Sequence, residues 1–77
     1  MVQAYVLIQT DVGRSSEVAI AIRQVAGVTL AEHVTGPYDV IALVEAVTID
    51  ELGQMVISRI QEIQGIVRTL TCTVVHY

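Results

Sequence analysis

The sequence predicts an α+β fold, a ferredoxin-like βαββαβ domain, from three observations. Runs rich in β-branched residues alternate with amphipathic segments in the order β, α, β, β, α, β. A short motif recurs, because residues 23–28 (RQVAGV) echo residues 61–66 (QEIQGI). The length of 77 residues suits one small domain. We therefore expect a single domain over residues 1–77, built from two interleaved βαβ halves.

The first half is predicted to contain a strand over residues 3–10 and a helix capped by Ser15 or Ser16. Gly27 is expected to end this helix. Its buried stripe consists of three apolar residues at helical spacing: Val18, Ile22 and Val25. Residues 30–35, in which one set (Leu30, Glu32, Val34) alternates with another (Ala31, His33, Thr35), predict a second strand that runs into the turn signal Gly36-Pro37.

The second half begins with Val40–Ala46, whose apolar residues occupy both parities, as in a strand covered on both faces. Thr48 and Glu51 match a capping box at the start of a second helix, and Gly65 suits its C-terminal end. The apolar stripe of this helix comprises Leu52, Val56, Ile60 and Ile63. Residues 66–76 predict the last strand, with one apolar face (Leu70, Cys72, Val74) and one threonine face (Thr69, Thr71, Thr73).

Two right-handed βαβ units of this kind give an antiparallel sheet of order 4-1-3-2 with two helices on one face. Those helices cannot cover both sides of the two central strands. The helices cannot hide Val6, Ile8, Ile41 and Leu43 along with the apolar residues of opposite parity, so one parity must face something else. A second copy would cover the remaining face, so we expect at least a dimer packed sheet against sheet.

Composition excludes several classes of protein. The formal net charge is −4, with four Arg and no Lys, which argues against direct nucleic-acid binding. Every apolar run is broken well before the roughly 18 residues that a membrane span needs. The N-terminus lacks the features of a signal peptide, so we expect a cytoplasmic protein. Cys72 is the single cysteine, which we expect to be a small buried side chain.

The sequence offers no persuasive catalytic or metal site. His33 and His76 fall on opposite edge strands without nearby ligands, and Asp50 and Glu51 are explained by helix capping. We therefore expect neither an enzyme nor a bound cofactor.

The segment between the second and third strands is richer than a plain turn. It combines Gly36, Pro37, Tyr38 and Asp39 at the mouth of a doubly apolar strand. Its backbone N–H groups could hold a carboxylate while the Asp39 carboxylate meets an ammonium group. The equally weighted alternative is a tight turn in which Asp39 binds local backbone.

At this loop the sequence resembles the ligand-binding RAM domain of the Lrp/AsnC regulators. Residues 18–28, the Thr35-Gly36-Pro37-Tyr38-Asp39 element and residues 65–71 carry the likeness, the second being similar to the Gly-x-Tyr-Asp turn of the family. The resemblance implies dimers formed by facing sheets, rings commonly of four dimers (an octamer), and amino-acid effectors bound between subunits. It points to Thr35, Gly36, Tyr38 and Asp39 as ligand-binding residues, with Thr69 and Thr71 as weaker candidates.

The helix-turn-helix domain of full-length regulators is absent from this sequence. The resemblance therefore suggests a stand-alone sensor of amino acids that modulates a partner regulator or joins a full-length regulator in mixed oligomers. Two alternatives stay open: a small dimeric α+β barrel enzyme, such as a cofactor-free monooxygenase or isomerase, and a purely structural oligomerisation module.

Overall fold

The computed structural model describes residues 1–76, so Tyr77 of the predicted domain lies outside the described residues. Four strands and two helices follow one another in the predicted βαββαβ order. They are β1 (Val2–Thr10), α1 (Ser15–Arg23), β2 (Val28–His33), β3 (Val40–Ala46), α2 (residues 49–61) and β4 (Ile66–Thr73). The sheet is antiparallel with spatial order β2-β3-β1-β4, which confirms the predicted order 4-1-3-2.

One face of the sheet forms the hydrophobic core with the two helices. Strand side chains alternate between faces, so every second residue of the central strands β1 and β3 points at the helices. These strand residues are fully buried: Ala4, Val6, Ile8, Val40, Ala42 and Val44. The helices contribute the predicted stripes, of which Val18, Ile22, Leu52, Val56 and Ile60 are buried. The helical stripes thus lie against one parity of β1 and β3, and that parity forms the core.

The opposite face, here called the open face, is apolar but has no covering element within residues 1–76. Its large apolar side chains are those of Tyr5, Leu7, Leu30, Ile41, Leu43 and Leu70, according to the strand register. Tyr5, Leu30 and Leu70 are 45%, 41% and 47% exposed. A contiguous apolar surface of this kind marks an interaction site.

The start of α1 differs from the prediction. Arg14 occupies the capping position without a side-chain bond, and Ser15 lies inside the first turn. The Ser15 hydroxyl instead lies 2.7 Å from Nε2 of His33 at the end of β2. The helix also ends at Arg23, before Gly27, whose φ of +97° reverses the chain towards β2. The serine cap was therefore wrong, because a partner distant in sequence engages that hydroxyl.

The capping prediction for α2 is confirmed, since the Thr48 hydroxyl oxygen accepts a bond from the backbone N–H of Glu51 at 3.2 Å. The middle of α2, Leu52–Ile57, has π-helical hydrogen bonding between α-helical ends. Such widened turns are rare and frequently accompany functional sites. None of the helices in residues 1–76 is long and apolar enough to span a membrane.

Strand β4 ends at Thr73, earlier than the predicted residue 76, although the Val74 N–H still donates to the Gln3 carbonyl at 2.8 Å. Its two faces alternate as predicted, with Cys72 opposite Tyr5 on the open face. Cys72 is exposed, so the expectation that it is buried is wrong for the single subunit. The cause is its position on an edge strand and on the face that the helices do not cover.

Candidate ligand-binding site

The loop between β2 and β3 is joined to the end of β1 by hydrogen bonds. The Asp39 N–H donates to the Ile8 carbonyl at 2.9 Å. On the open face, Nε2 of Gln9 donates to the Pro37 carbonyl at 3.2 Å. Within the loop, the Val34 N–H donates to the Asp39 carbonyl at 2.9 Å. Two of these bonds therefore tie the loop to β1, and the third closes the loop on itself.

The Asp39 side chain contributes a further tether to β1. Its Oδ2 accepts the Thr10 N–H at 2.8 Å and the Thr10 hydroxyl at 3.2 Å. The other oxygen, Oδ1, makes no hydrogen bond within residues 1–76. The carboxylate is only half-buried. Asp39 therefore has the structural role foreseen in the tight-turn alternative, and it keeps one oxygen that could receive a cation.

The loop lines one side of an open cavity of about 360 Å³, here called the loop cavity. Its walls are mainly apolar and come from the loop and from two open-face residues of β1 and β3. The lining residues are Leu7, Val34, Thr35, Gly36, Pro37, Tyr38 and Ile41. Thr35 and Gly36 are exposed and Tyr38 is half-buried. Three of the predicted site residues thus share one cavity, and Asp39 lies next to it in the chain.

The two threonines predicted on β4 lie elsewhere in the subunit. Thr69 and Thr71 pair with Ile8 and Val6, so their side chains are on the helix face rather than the open face. The Thr69 hydroxyl accepts a bond from Nε2 of Gln61 at 3.3 Å. Within one subunit, the structure does not bring these threonines to the loop cavity.

Arg68 is a candidate residue that the sequence reasoning missed. It pairs directly with Gln9, whose side chain holds the loop at Pro37. Directly opposed strand residues have Cβ atoms about 4.5–5.5 Å apart, so an arginine stem starts close to the loop on the open face. The predicted order 4-1-3-2 already places the start of β4 beside the end of β1, and this was the signal that could have found Arg68.

Within residues 1–76 no cluster of three potential metal ligands occurs.

Comparisons with known proteins agree with this geometry. Residues 3–76 match the family described as the Lrp/AsnC ligand binding domain. The chain belongs to the Lrp/AsnC ligand-binding domain family. The resemblance read from the loop and its flanking segments is thereby confirmed. Members of this family are ligand-binding domains of transcriptional regulators and not enzymes, so the alternative of a small α+β barrel enzyme falls away.

Individual relatives support the Lrp/AsnC assignment. The uncharacterized HTH-type transcriptional regulator PF0250 of Pyrococcus furiosus is 35% identical over 71 residues, which cover 88% of this chain. The match spans 47% of PF0250, about half its length. The crystal structure of TTHA0845 from Thermus thermophilus has a TM-score of 0.91 at 34% identity, covering 100% of this chain and 96% of that one. The structure of Escherichia coli AsnC has a TM-score of 0.88 at 26% identity, and the likeness covers 99% of this chain and 52% of that one.

A more distant neighbour of the Lrp/AsnC domain is the transcriptional regulator NMB0573 of Neisseria meningitidis, solved as a complex with L-Met. Its TM-score is 0.82 at 16% identity, and the likeness covers 97% of this chain and 50% of that one. At that identity the comparison concerns the fold alone.

Proposed function

We propose that this domain binds an amino-acid effector at the loop cavity and thereby modulates a transcriptional regulator with which it is associated, in one polypeptide or by assembly. The observation that carries the proposal is the pairing of a preformed apolar cavity with an adjacent carboxylate that keeps one free oxygen. A regulator of transcription acts where the nucleic acid is, which agrees with the expected cytoplasmic location.

The proposed binding mode assigns a part of the amino acid to each side of the loop. Oδ1 of Asp39 receives the ammonium group, and the exposed Gly36 backbone and the Arg68 guanidinium are available to the carboxylate. The side chain of the effector enters the loop cavity between Leu7 and Tyr38. A volume of about 360 Å³ is within the usual range for small-molecule sites, and its apolar walls favour an apolar side chain.

Assembly completes the proposed site. A second subunit packed on the open face would cover Tyr5 and Leu70 and would narrow the loop cavity, since Leu7 and Ile41 belong to both surfaces. Thr69 and Thr71 remain in the proposal as contacts to a ligand held by a neighbouring subunit, because they lie on an edge strand. Further assembly of four dimers into an octamer belongs to the same proposal.

The proposal is tested by a thermal-shift screen of the twenty amino acids. Because NMB0573 shares the fold and was solved with L-Met, methionine belongs among the first ligands tried. We expect at least one amino acid with an apolar side chain to raise the melting temperature of the wild type and not that of Asp39→Asn. Asparagine keeps an oxygen that can accept the Thr10 bonds, so this change removes the charge and leaves the tether.

The matched control is Asp50→Asn, an equally conservative change at an exposed carboxylate on α2, far from the loop. Its response should equal that of the wild type. No response to any amino acid at millimolar concentration, or an undiminished response in Asp39→Asn, would count against the proposal.

A structural oligomerisation module without a ligand is the second candidate. It is favoured by the two bonds from Thr10 to Asp39, which give this carboxylate a purely structural use. The same screen separates the two candidates, because a structural module would respond to none of the twenty amino acids while still self-associating.

A further inference from the structure

The internal repeat creates two comparable junctions between a glycine and a helix. Gly27 follows α1 and Gly65 follows α2, with φ values of +97° and +98°. Each glycine carbonyl accepts a strand-end N–H at 2.8 Å, from Glu45 and Asp11 respectively. Each also abuts the helix of the other half, Gly27 against Val56 and Gly65 against Val18.

The two junctions differ in what fills the space beside the glycine. A Cβ built at Gly65 would lie 3.4 Å from Nε and 3.5 Å from Cβ of Arg14, whose guanidinium is held by Glu17 at 2.6 Å. In the repeat, buried Leu52 takes the place of Arg14, so no such side chain reaches the Gly27 junction. A pocket of about 450 Å³ lies there instead, and we name it the distal pocket.

The walls of the distal pocket are apolar and include an adaptable side chain. Ala26, Ala46 and Val56 contribute small surfaces, and Met55, 57% exposed, borders the opening. Met55 and Val56 belong to the π-helical part of α2. Methionine is flexible and polarisable, which suits it to contacts with varied apolar groups.

Charged residues of both signs border the same pocket: Glu45, Glu51 and Arg59. Among residues 1–76, the one salt bridge joins Arg14 and Glu17. The Arg59 guanidinium therefore has no salt-bridge partner among these residues. An apolar wall with a free guanidinium and carboxylates nearby complements a molecule that carries an ammonium group, a carboxylate and an apolar body.

We propose that the distal pocket is a second ligand site, which takes a small zwitterion with an apolar side chain. Arg59 meets the carboxylate, Glu51 or Glu45 meets the ammonium group, and the apolar body packs against Met55 and Ala26. The site is separate from the loop cavity, because it lies at the Ala46 end of β3 whereas the loop enters β3 at Val40. Its occupancy does not depend on Asp39.

The test uses L-norleucine as the probe and NMR spectra of the Asp39→Asn protein, in which binding at the loop cavity is expected to be at least about tenfold weaker. We expect the Met55 methyl and Gly27 amide resonances to shift with saturation, over a range of concentrations in which the Gly36 amide stays fixed. Pentylamine and hexanoate, which keep the unbranched apolar body of norleucine and each lack one of its charges, should bind at least about tenfold more weakly than norleucine. Equal binding of either analogue would overturn the assignment of a zwitterion site.

Two variants locate the binding. Ala26→Phe fills the pocket, and Arg59→Gln removes the cation while keeping a good helix former. Both should abolish the Met55 shift without lowering the melting temperature substantially, whereas Arg14→Gln, the matched arginine control at the Gly65 junction, should leave it intact. Absence of saturable shifts at Met55 and Gly27 overturns the distal site even if Gly36 responds in the wild type. Shifts confined to Gly36 would support the loop site alone.

Discussion

The two faces of the sheet are built from the same strands but differ in what covers them. On the helix face, Val6, Ala42 and Val44 are completely buried by the helices of their own chain. On the open face, their sequence neighbours Tyr5 and Leu43 are apolar without being covered in the subunit. The difference teaches that one parity of β1 and β3 specifies the fold, and the other parity is available to a second subunit and to a ligand.

The strongest test of this difference between the two faces places an aspartate on each face of β3, in two separate variants. Val44→Asp buries a carboxylate without a partner and should cost at least about 4 kcal/mol, which unfolds a small domain. Leu43→Asp should leave a folded chain and weaken self-association by about a hundredfold or more. Circular dichroism and sedimentation of both variants over a range of concentrations measure the two effects.

The concentration dependence of the melting temperature is the control for that pair. It should be present in the wild type and lost in Leu43→Asp, because self-association stabilises the folded state by mass action. If Leu43→Asp associates as tightly as the wild type, the open face is not the subunit interface.

Two glycines sharpen the comparison at the next level of effect. An added Cβ at Gly27 would lie 2.5 Å from Cγ2 of Val56 and would require a left-handed backbone, so Gly27→Ala should cost more than about 2 kcal/mol. At Gly36, in the loop between β2 and β3, an added Cβ would have nothing within 4 Å. Gly36→Ala should therefore change the free energy of unfolding by less than about 0.5 kcal/mol. Urea unfolding measures the free energy of unfolding of both variants. Equal losses of stability would contradict the expected order.

The tether between β1 and the loop should have a moderate effect. Thr10→Val removes the hydroxyl bond to Asp39 at 3.2 Å and retains the backbone bond at 2.8 Å. We expect a loss of about 0.5–1.5 kcal/mol in the free energy of unfolding. The amino-acid response should persist, since Oδ1 of Asp39 is untouched. Loss of the response without loss of stability would indicate that Thr10 itself contacts the ligand.

The smallest effects distinguish the two helix starts. Thr48→Ala removes a side-chain cap and should cost about 1 kcal/mol, whereas Ser15→Ala removes an exposed bond to His33 and should cost no more than about half of that. Thermal unfolding of both variants gives the comparison. A larger cost for Ser15→Ala would mean that the contact between α1 and β2 outweighs the cap.

The fold could be predicted from the sequence because the patterns that specify its elements lie within short segments. The periodicities of β1 and β3 and the Thr48 cap each lie within a few residues, and the strand order follows from general rules of chain crossing. The failures concern contacts that only the folded chain creates. The Ser15 hydroxyl meets His33 across the sheet edge, and Cys72 is exposed because its strand is at an edge.

The candidate site shows the same division. The sequence drew attention to the loop because it combines Gly36 and Pro37 with the aromatic ring of Tyr38 and the carboxylate of Asp39. It could not reveal that Thr10 binds the Asp39 carboxylate or that Thr69 faces the helices. Arg68 was within reach of the predicted strand order. The strand order did not predict the distal pocket, because the pocket depends on a difference within the repeat: Leu52 occupies the position that aligns with Arg14 in the first half.

The most direct test of amino-acid binding at the loop is calorimetric titration of the protein with the amino acid that gives the largest thermal shift. The wild type should bind about one molecule per loop cavity with saturable heat. Asp39→Asn should bind there at least about tenfold more weakly, a difference of about 1.4 kcal/mol, while keeping the oligomeric state of the wild type. Equal affinity in the two proteins would contradict the account, because the free Asp39 oxygen would then have no part in recognition.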